Sequence, residues 1–247
     1  MKDFFALYDL LINGIDTDAV AAGTLMGQCW TAVEAPEHFG IAMTTPVDTA
    51  PRMLDRSFCG MPLKELAAAS KSWNLTEAGF GMAAINAFYN TPARLEQLQA
   101  YEPFDNYCTD GVDLKDKRIG VIGHLNMPAS VRDQAREVLI LERAPRPGDY
   151  PDSACDFLLP QCDVVIMTAS TLVNKTLPHL LDLCQNAYTI LAGPSCPMCP
   201  ELLDLGIDRL AGLVITDTRG MRQKIIREIP GPPYPMGKPF LLTRERL

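Results

Sequence analysis

The chain lacks a basic block. Its 22 lysines and arginines are outnumbered by 30 aspartates and glutamates, for a formal net charge of -8. Nucleic acid and anionic membranes demand clustered cations against phosphates, so neither is expected as a partner. No apolar run approaches the roughly 18 residues that span a bilayer. The opening "MKDFFALYDLLI" is interrupted by Asp3 and Asp9 and is followed by no small-residue cleavage site. The expectation is a cytoplasmic protein whose partners are small molecules, metal cations or metal complexes.

Several motifs are missing as well. There is no G-x-G-x-x-G, since "GVIGHLNMPA" lacks the third glycine and carries Pro128, so a dinucleotide fingerprint is absent. There is no H-x-x-E-H, no second C-x-x-C and no internal repeat. The eight cysteines, at 29, 59, 108, 155, 162, 184, 196 and 199, are too scattered for a disulfide scaffold. Most are expected to be reduced thiols, and Cys184 in "LLDLCQ" fits as a small core residue. Cys155 and Cys162 could join a site only if the fold brings them near.

What is there falls into two rhythms. The first half opens with apolar residues at helical spacing from Phe4 to Ile12. Strand-like runs at 27–35 and 39–47 flank "PEH", a hairpin turn in which His38 is expected to be solvated. Helices are expected at 62–73 and 74–90, the second capped by Thr76 and ended by Asn90-Thr91-Pro92. The turn-rich 102–117 reads as a linker. Beyond it come five short apolar runs at 118–123, 137–142, 163–169, 187–193 and 212–217. Helix-compatible segments lie at 129–136, 174–185, 199–205 and 218–228. Continuous apolar strands alternating with helices imply a parallel sheet covered on both faces. The expected fold class is α/β, with an α+β domain over 1–105 and a Rossmann-like doubly wound domain over 106–247. The Pro-rich tail is expected to be extended.

In such a sheet, ligands sit beyond the carboxyl ends of the strands. The residues there are Gly123, His124 and Asn126; Glu142, Gly148 and Asp149; Thr168, Ser170, Thr171, Asn174 and Lys175; and Gly193, Pro194 and Ser195, followed by Cys196 and Cys199. His124 could ligate a metal or move protons. His179 is expected on a helix surface. Glu142 lies where a ribose-binding acid would fall. Thr171 and Asn174 could cap a helix whose N-terminus attracts anions, or simply cap it. The pair in "GPSCPMCPEL" could ligate a metal, cycle as a disulfide or merely open a helix. A zinc site would need two further ligands.

"LERAPRPGDYPDSACDFLLPQCDVVIMTASTLVNKTLPHLLDL", "ILAGPSCPMCPELLDLGIDRLAGLVITD" and "GMPLKELAAASKSWNLTEAGFGMAAINA" together resemble a family of unknown function whose proposed role is heavy-metal chelation. The resemblance covers nearly the whole chain. It implies a first domain similar to the N-terminal domain of enolase, a Rossmann-like second domain and a site in the cleft between them. That cleft would hold a metal or metal complex, with a transition metal as the implied cofactor. Carried onto this chain, its walls would include His124, Gly148, Asp149, Thr168, Thr171, Asn174, Gly193, Pro194 and Ser195, with Gly81 and Asn86 from the first domain. The bland alternative is that Gly81, Ala83, Ala84 and Ala87 simply allow close helix packing, which is favoured for the alanines, while Asn86, as a polar residue on a small-residue face, wants a partner. The family is expected to carry small hydroxyl residues at 196 and 199, so its shared function would not depend on Cys196 and Cys199, although thiolates there would suit a soft metal. A homo-oligomer is compatible with the size. A small-molecule or nucleotide-binding enzyme using the same sheet edge is the alternative.

Overall fold

The computed structural model describes residues 4–45, 49–103 and 108–244. The end of the expected strand 39–47, the 105/106 boundary within the linker, and the last three residues of the tail lie outside the described residues.

The first half contains α1 (Ala6–Asn13), the antiparallel strands β1 (Gly23–Met26), β2 (Trp30–Ala35) and β3 (His38–Met43), then α2 (Leu63–Ala67), α3 (Leu75–Tyr89) and α4 (Pro92–Gln97). The hairpin turns on Pro36 and Glu37, the latter at φ 61°. His38 is not solvated as expected. It is half-buried, its Nδ1 lies 3.1 Å from the Ala87 carbonyl oxygen, and its ring stacks on Phe88. The helix expected at 62–73 is shorter, because its last turn tightens into a 3-10 turn, Ala68–Lys71, against α3. Gly81 permits that approach: a Cβ there would stand 2.0 Å from the Ser70 nitrogen. Gly40 does the same for β3 against Ala83 and Ala87.

α3 is buried around nearly its whole circumference, packing on β2, β3, α2 and the 3-10 turn. Its cap is Asn74, not Thr76. The Asn74 carboxamide oxygen accepts the Glu77 N–H at 3.0 Å, and Thr76 instead donates to the Thr45 carbonyl. Both residue types cap helices well, and Asn74 takes the role two residues earlier.

The second half runs β4 (Arg118–Ile122), α5 (Ala129–Gln134), β5 (Glu137–Glu142), β6 (Tyr150–Pro151), α6 (Cys155–Leu158), β7 (Val164–Thr168), α7 (Ser170–Val173), α8 (Leu177–Leu183), β8 (Tyr188–Ala192), β9 (Arg209–Ile215), α9 (Thr218–Ile226) and β10 (Gly237–Thr243). The sheet order is β10-β9-β8-β7-β4-β5-β6, parallel except for β10. This is the α/β architecture read from the sequence. β9 begins earlier than expected because Arg209 and Leu210 already pair with Ile190 and Leu191. The helix expected at 174–185 forms as α8 but begins later, with Lys175 in the left-handed region at φ 65° between α7 and α8. The tail is a strand, and Pro239 is tolerated because β10 is at the sheet edge.

The two halves share one core. Tyr8, Leu66, Met82 and Ile85 belong to the same buried cluster as Leu139, Val165, Leu172, Leu191 and Leu210. Polar contacts reinforce it. The Tyr8 hydroxyl donates to the Leu172 carbonyl at 2.7 Å. Asn86 and Asn90, one helical turn apart on α3, face the loop after β8. The Asn86 amide donates to the Ser195 and Ile41 carbonyls at 3.0 and 2.7 Å. The Asn90 amide donates to the Cys196 carbonyl at 2.9 Å, while its oxygen accepts the Met198 N–H at 2.9 Å.

Candidate functional site

The strand order reverses beside β4, which has β5 on one side and β7 on the other. In an open parallel sheet that divergence leaves a crevice beyond the strand ends. A cavity of about 450 Å³ lies there. Ile122 ends β4 and Gly123 follows it, Leu141 and Glu142 end β5 ahead of Arg143, and Thr168 ends β7 ahead of Ser170 and Thr171. Asp152, Ser153, Cys155 and Asp156 close one side, and Asn174, Thr176 and His179 another. Met43, at the end of β3, brings the first half to the cavity edge.

One wall is built of hydroxyls. The Thr168 and Ser170 oxygens are 3.0 Å apart, and Thr171 donates to the Thr168 carbonyl at 2.7 Å. Neither Thr171 nor Asn174 caps a helix. α7 begins after Ala169 without a side-chain cap, and Asn174 accepts from the Thr176 N–H and hydroxyl at 3.2 and 2.6 Å. These bonds accompany the turn at Lys175, so the helix expected from 174 begins at Leu177 and Asn174 does not cap it.

The opposite wall is acidic. Glu142, Asp152 and Asp156 face a single arginine, Arg143, whose Nε lies 3.6 Å from Asp152. His179 Nε2 lies 3.1 Å from Asp156 Oδ1, and both side chains are more than half exposed. His179 is therefore at the surface, as expected, but also lines the cavity.

His124 lies between two carboxylates, of which Glu142 lines the cavity. Its Nε2 is 2.6 Å from Asp149 Oδ2, and its Nδ1 is 3.5 Å from Glu142 Oε2. Asp149 also accepts the Arg146 N–H at 2.7 Å. The hydrogen bond from His124, followed by that of Arg146, holds the Asp149 carboxyl below its usual range. The two carboxylates address opposite ring nitrogens, so the three side chains do not converge on one point. Among the described residues no group of three or more His, Cys, Asp and Glu side chains is arranged to hold a metal ion.

Of the residues singled out in the sequence, the cavity gathers Gly123, Glu142, Thr168, Ser170, Thr171 and Asn174, while His124 and Asp149 are linked to it through Glu142. Gly123 adopts φ +91°, and a Cβ there would meet Thr168 at 2.9 Å. Gly148 gives the exposed turn before Asp149 its φ of +98°. Gly193, Pro194, Ser195 and Asn86 do not line the cavity. They belong to the joint between the halves, where Ser195 Oγ also accepts the Met43 N–H at 2.8 Å. Cys196 and Cys199 are fully buried outside the cavity, with the Cys199 thiol donating to Glu201 at 3.0 Å. Sequence reasoning missed Met43, Asp152, Ser153, Asp156 and His179 as wall residues, and of Cys155 and Cys162 the fold brings Cys155 to the wall. The available signal was the acid-rich "DYPDSACD" directly after the second apolar run.

The fold is thus an α/β architecture with a switch-point cavity that has hydroxyls and carboxylates in its lining. Comparison with known proteins narrows this. Residues 110–228 match the DUF364 model and residues 8–89 the DUF4213 model, both described as "Putative heavy-metal chelation". A DUF364 protein of unknown function from Desulfitobacterium hafniense is 32% identical, with a TM-score of 0.89 over 99% of both chains. Another from Pyrococcus horikoshii is 25% identical, with a TM-score of 0.80 over 96% of this chain and 99% of that one. An uncharacterized protein of Methanocaldococcus jannaschii is 30% identical over 167 residues, 63% of this chain and 61% of that protein's length. The chain belongs to the DUF364 family. No helix among the described residues is long and apolar enough to cross a membrane.

Proposed function

We propose that the chain binds a small molecule carrying a heavy or transition metal as cargo, in the cavity beyond β4, β5 and β7. The carrying observation is a mismatch between space and donors. About 450 Å³ is the volume of a small-molecule pocket, far larger than an ion needs. Yet Asp152 is turned to Arg143, no three lining His, Cys, Asp or Glu side chains among the described residues are arranged to hold an ion, and Asp156 with His179 is the pair that stands together. Two protein donors suit a metal whose remaining positions are filled by a ligand it brings. The acidic wall favours cationic cargo, and the hydroxyl wall offers donors and acceptors to the organic part. The metal is thus substrate or cargo, not a resident cofactor.

Isothermal titration with Co²⁺ alone and with the cobalt–histidine complex tests this. The complex should bind at least about tenfold more tightly than the bare ion, a difference of about 1.4 kcal/mol. Combining Asp156→Asn with His179→Ala should abolish the difference. Equal binding of ion and complex, or no effect of the double variant, would count against the reading. The short His124–Asp149 contact favours a second reading, an enzyme acting on a small molecule or nucleotide at the same edge. Thermal shift with nucleotides separates the two, since stabilisation by nucleotides without metal belongs to the second.

A further inference from the structure

Resting on the metal-complex reading, we propose that Glu142, His124 and Asp149 form a proton relay that takes protons from the bound ligand as a metal replaces them. Glu142 is the member that reaches the cavity. Its Oε1 accepts the Arg143 and Ala144 N–H groups at 2.7 and 3.4 Å, which fixes the carboxylate. Its Oε2 lies 3.5 Å from His124 Nδ1, and the far nitrogen of the ring lies 2.6 Å from Asp149. An ionised Asp149 only accepts hydrogen bonds, so His124 Nε2 carries the hydrogen. Nδ1 then turns its lone pair toward Glu142. Lone pair and carboxylate have nothing to share until a proton arrives, which fits their wider spacing. The left-handed Gly123 sets the turn that presents the ring. The charged groups around His124 are Glu142 and Asp149, with Arg143 and Arg146 on the loop that joins them. Arg143 is turned to Asp152.

Chelation releases protons because donor atoms must be deprotonated to bind a metal. At a protonated amine donor, an ammonium N–H bond breaks and the electron pair left on nitrogen forms the metal–nitrogen bond. The proton passes to Glu142 Oε2 and on to His124 Nδ1. Asp149 holds the resulting imidazolium without itself taking the proton. The ring, about a quarter exposed, returns the proton to water. One proton leaves for each N–H replaced, and nothing is oxidised or reduced. Glu142 is the acceptor that meets the ligand. His124 and Asp149 are positioning residues.

The test preloads the protein with L-histidine and mixes it with Co²⁺ in weak buffer. A pH indicator reports proton release and cobalt absorption reports complex formation. Titration of the preformed complex into each variant allows rates to be compared at equal occupancy. Glu142→Gln should slow proton release by about 10²-fold or more. His124→Ala should slow it similarly, with added imidazole restoring the rate. Asp149→Asn should displace the pH profile of the rate. Wild-type rates and pH profiles in occupied Glu142→Gln and His124→Ala would overturn the relay. Failure of the wild-type protein to bind the preformed complex would overturn the metal-complex reading, and the relay with it.

Discussion

Replacing Lys175 by methionine should stabilise the protein at neutral pH. Lys175 is 4% exposed, its ammonium donates to the Val173 carbonyl at 2.9 Å, and it lies 5.8 Å over the Tyr8 ring. No salt bridge to it is found among the described residues. Desolvation lowers its pKa from 10.5 to about 8. The folded pKa is thus below the unfolded one, so below pH 8 the folded state carries the full cost of a buried ammonium. Between pH 8 and 10.5 the unfolded chain binds the extra proton and the cost disappears as pH rises. The shift corresponds to about 3 kcal/mol at most, less where water still reaches the ammonium. Losing the contact with the Tyr8 ring and the bond to the Val173 carbonyl returns about 1–2 kcal/mol. A net gain of about 1–2 kcal/mol is therefore expected for Lys175→Met at pH 7, shrinking by pH 9.5. Urea denaturation of both proteins across pH 6.5–9.5 measures it, and taking the difference cancels groups common to both. A variant that is less stable at pH 7, or a difference flat across that range, would refute the reasoning.

Three other outcomes are expected. Only Cys29 and Cys59 are exposed, while burial pushes Cys155 and Cys162 up to about 11 and Cys184 and Cys199 up to about 12. A thiol reagent should therefore titrate two groups rapidly in the native protein and the rest only after denaturation; rapid reaction of Cys196 or Cys199, read by peptide mapping, would contradict this burial. Asn90→Leu should cost about 3 kcal/mol, because the Cys196 carbonyl and Met198 N–H lose their buried partner, and a denaturation midpoint equal to wild type would refute it. Gly81→Ala should destabilise by at least about 2 kcal/mol, since its Cβ would collide with backbone rather than with a flexible side chain; an unchanged melting temperature would show that the 3-10 turn yields.

The parallel strands were legible because burial on both faces leaves an unbroken apolar run. β5 was read at 137–142, where it lies, and β4, β7 and β8 within a residue at each end. The edges were not. β1 begins with Gly23 and Thr24, β6 has two residues, and β10 follows a Pro-rich stretch, so each owes its conformation to its partner strand. The site divides the same way. Gly123, Thr168, Thr171 and Asn174 follow long apolar strands, and strand direction alone puts them at one edge. Asp152, Asp156 and His179 lie on or next to short helices whose placement depends on the packing of α6 against α8. Asn86 and Ser195 were both expected in the cleft wall. That the Asn86 amide donates instead to the Ser195 main-chain carbonyl requires the contact between the halves, which one-dimensional spacing does not contain.

The loop "GPSCPMC" most resembles a reactive motif in one dimension, and in three its backbone is its most engaged part. Asn86 and Asn90 hold its carbonyls and one N–H, while both thiols point into the core. Burial raises the pKa of both, which keeps them protonated and inert at neutral pH, the condition of structural rather than nucleophilic cysteines. The loop nevertheless touches the site through Ser195, which accepts the N–H of Met43. Met43 is the first half's residue in the cavity wall. The loop thus fixes how β3 meets the sheet edge, and hence the shape of the cavity where the halves join. A substitution at Ser195 should act on binding through Met43, by changing the enclosure of the ligand and not its donors.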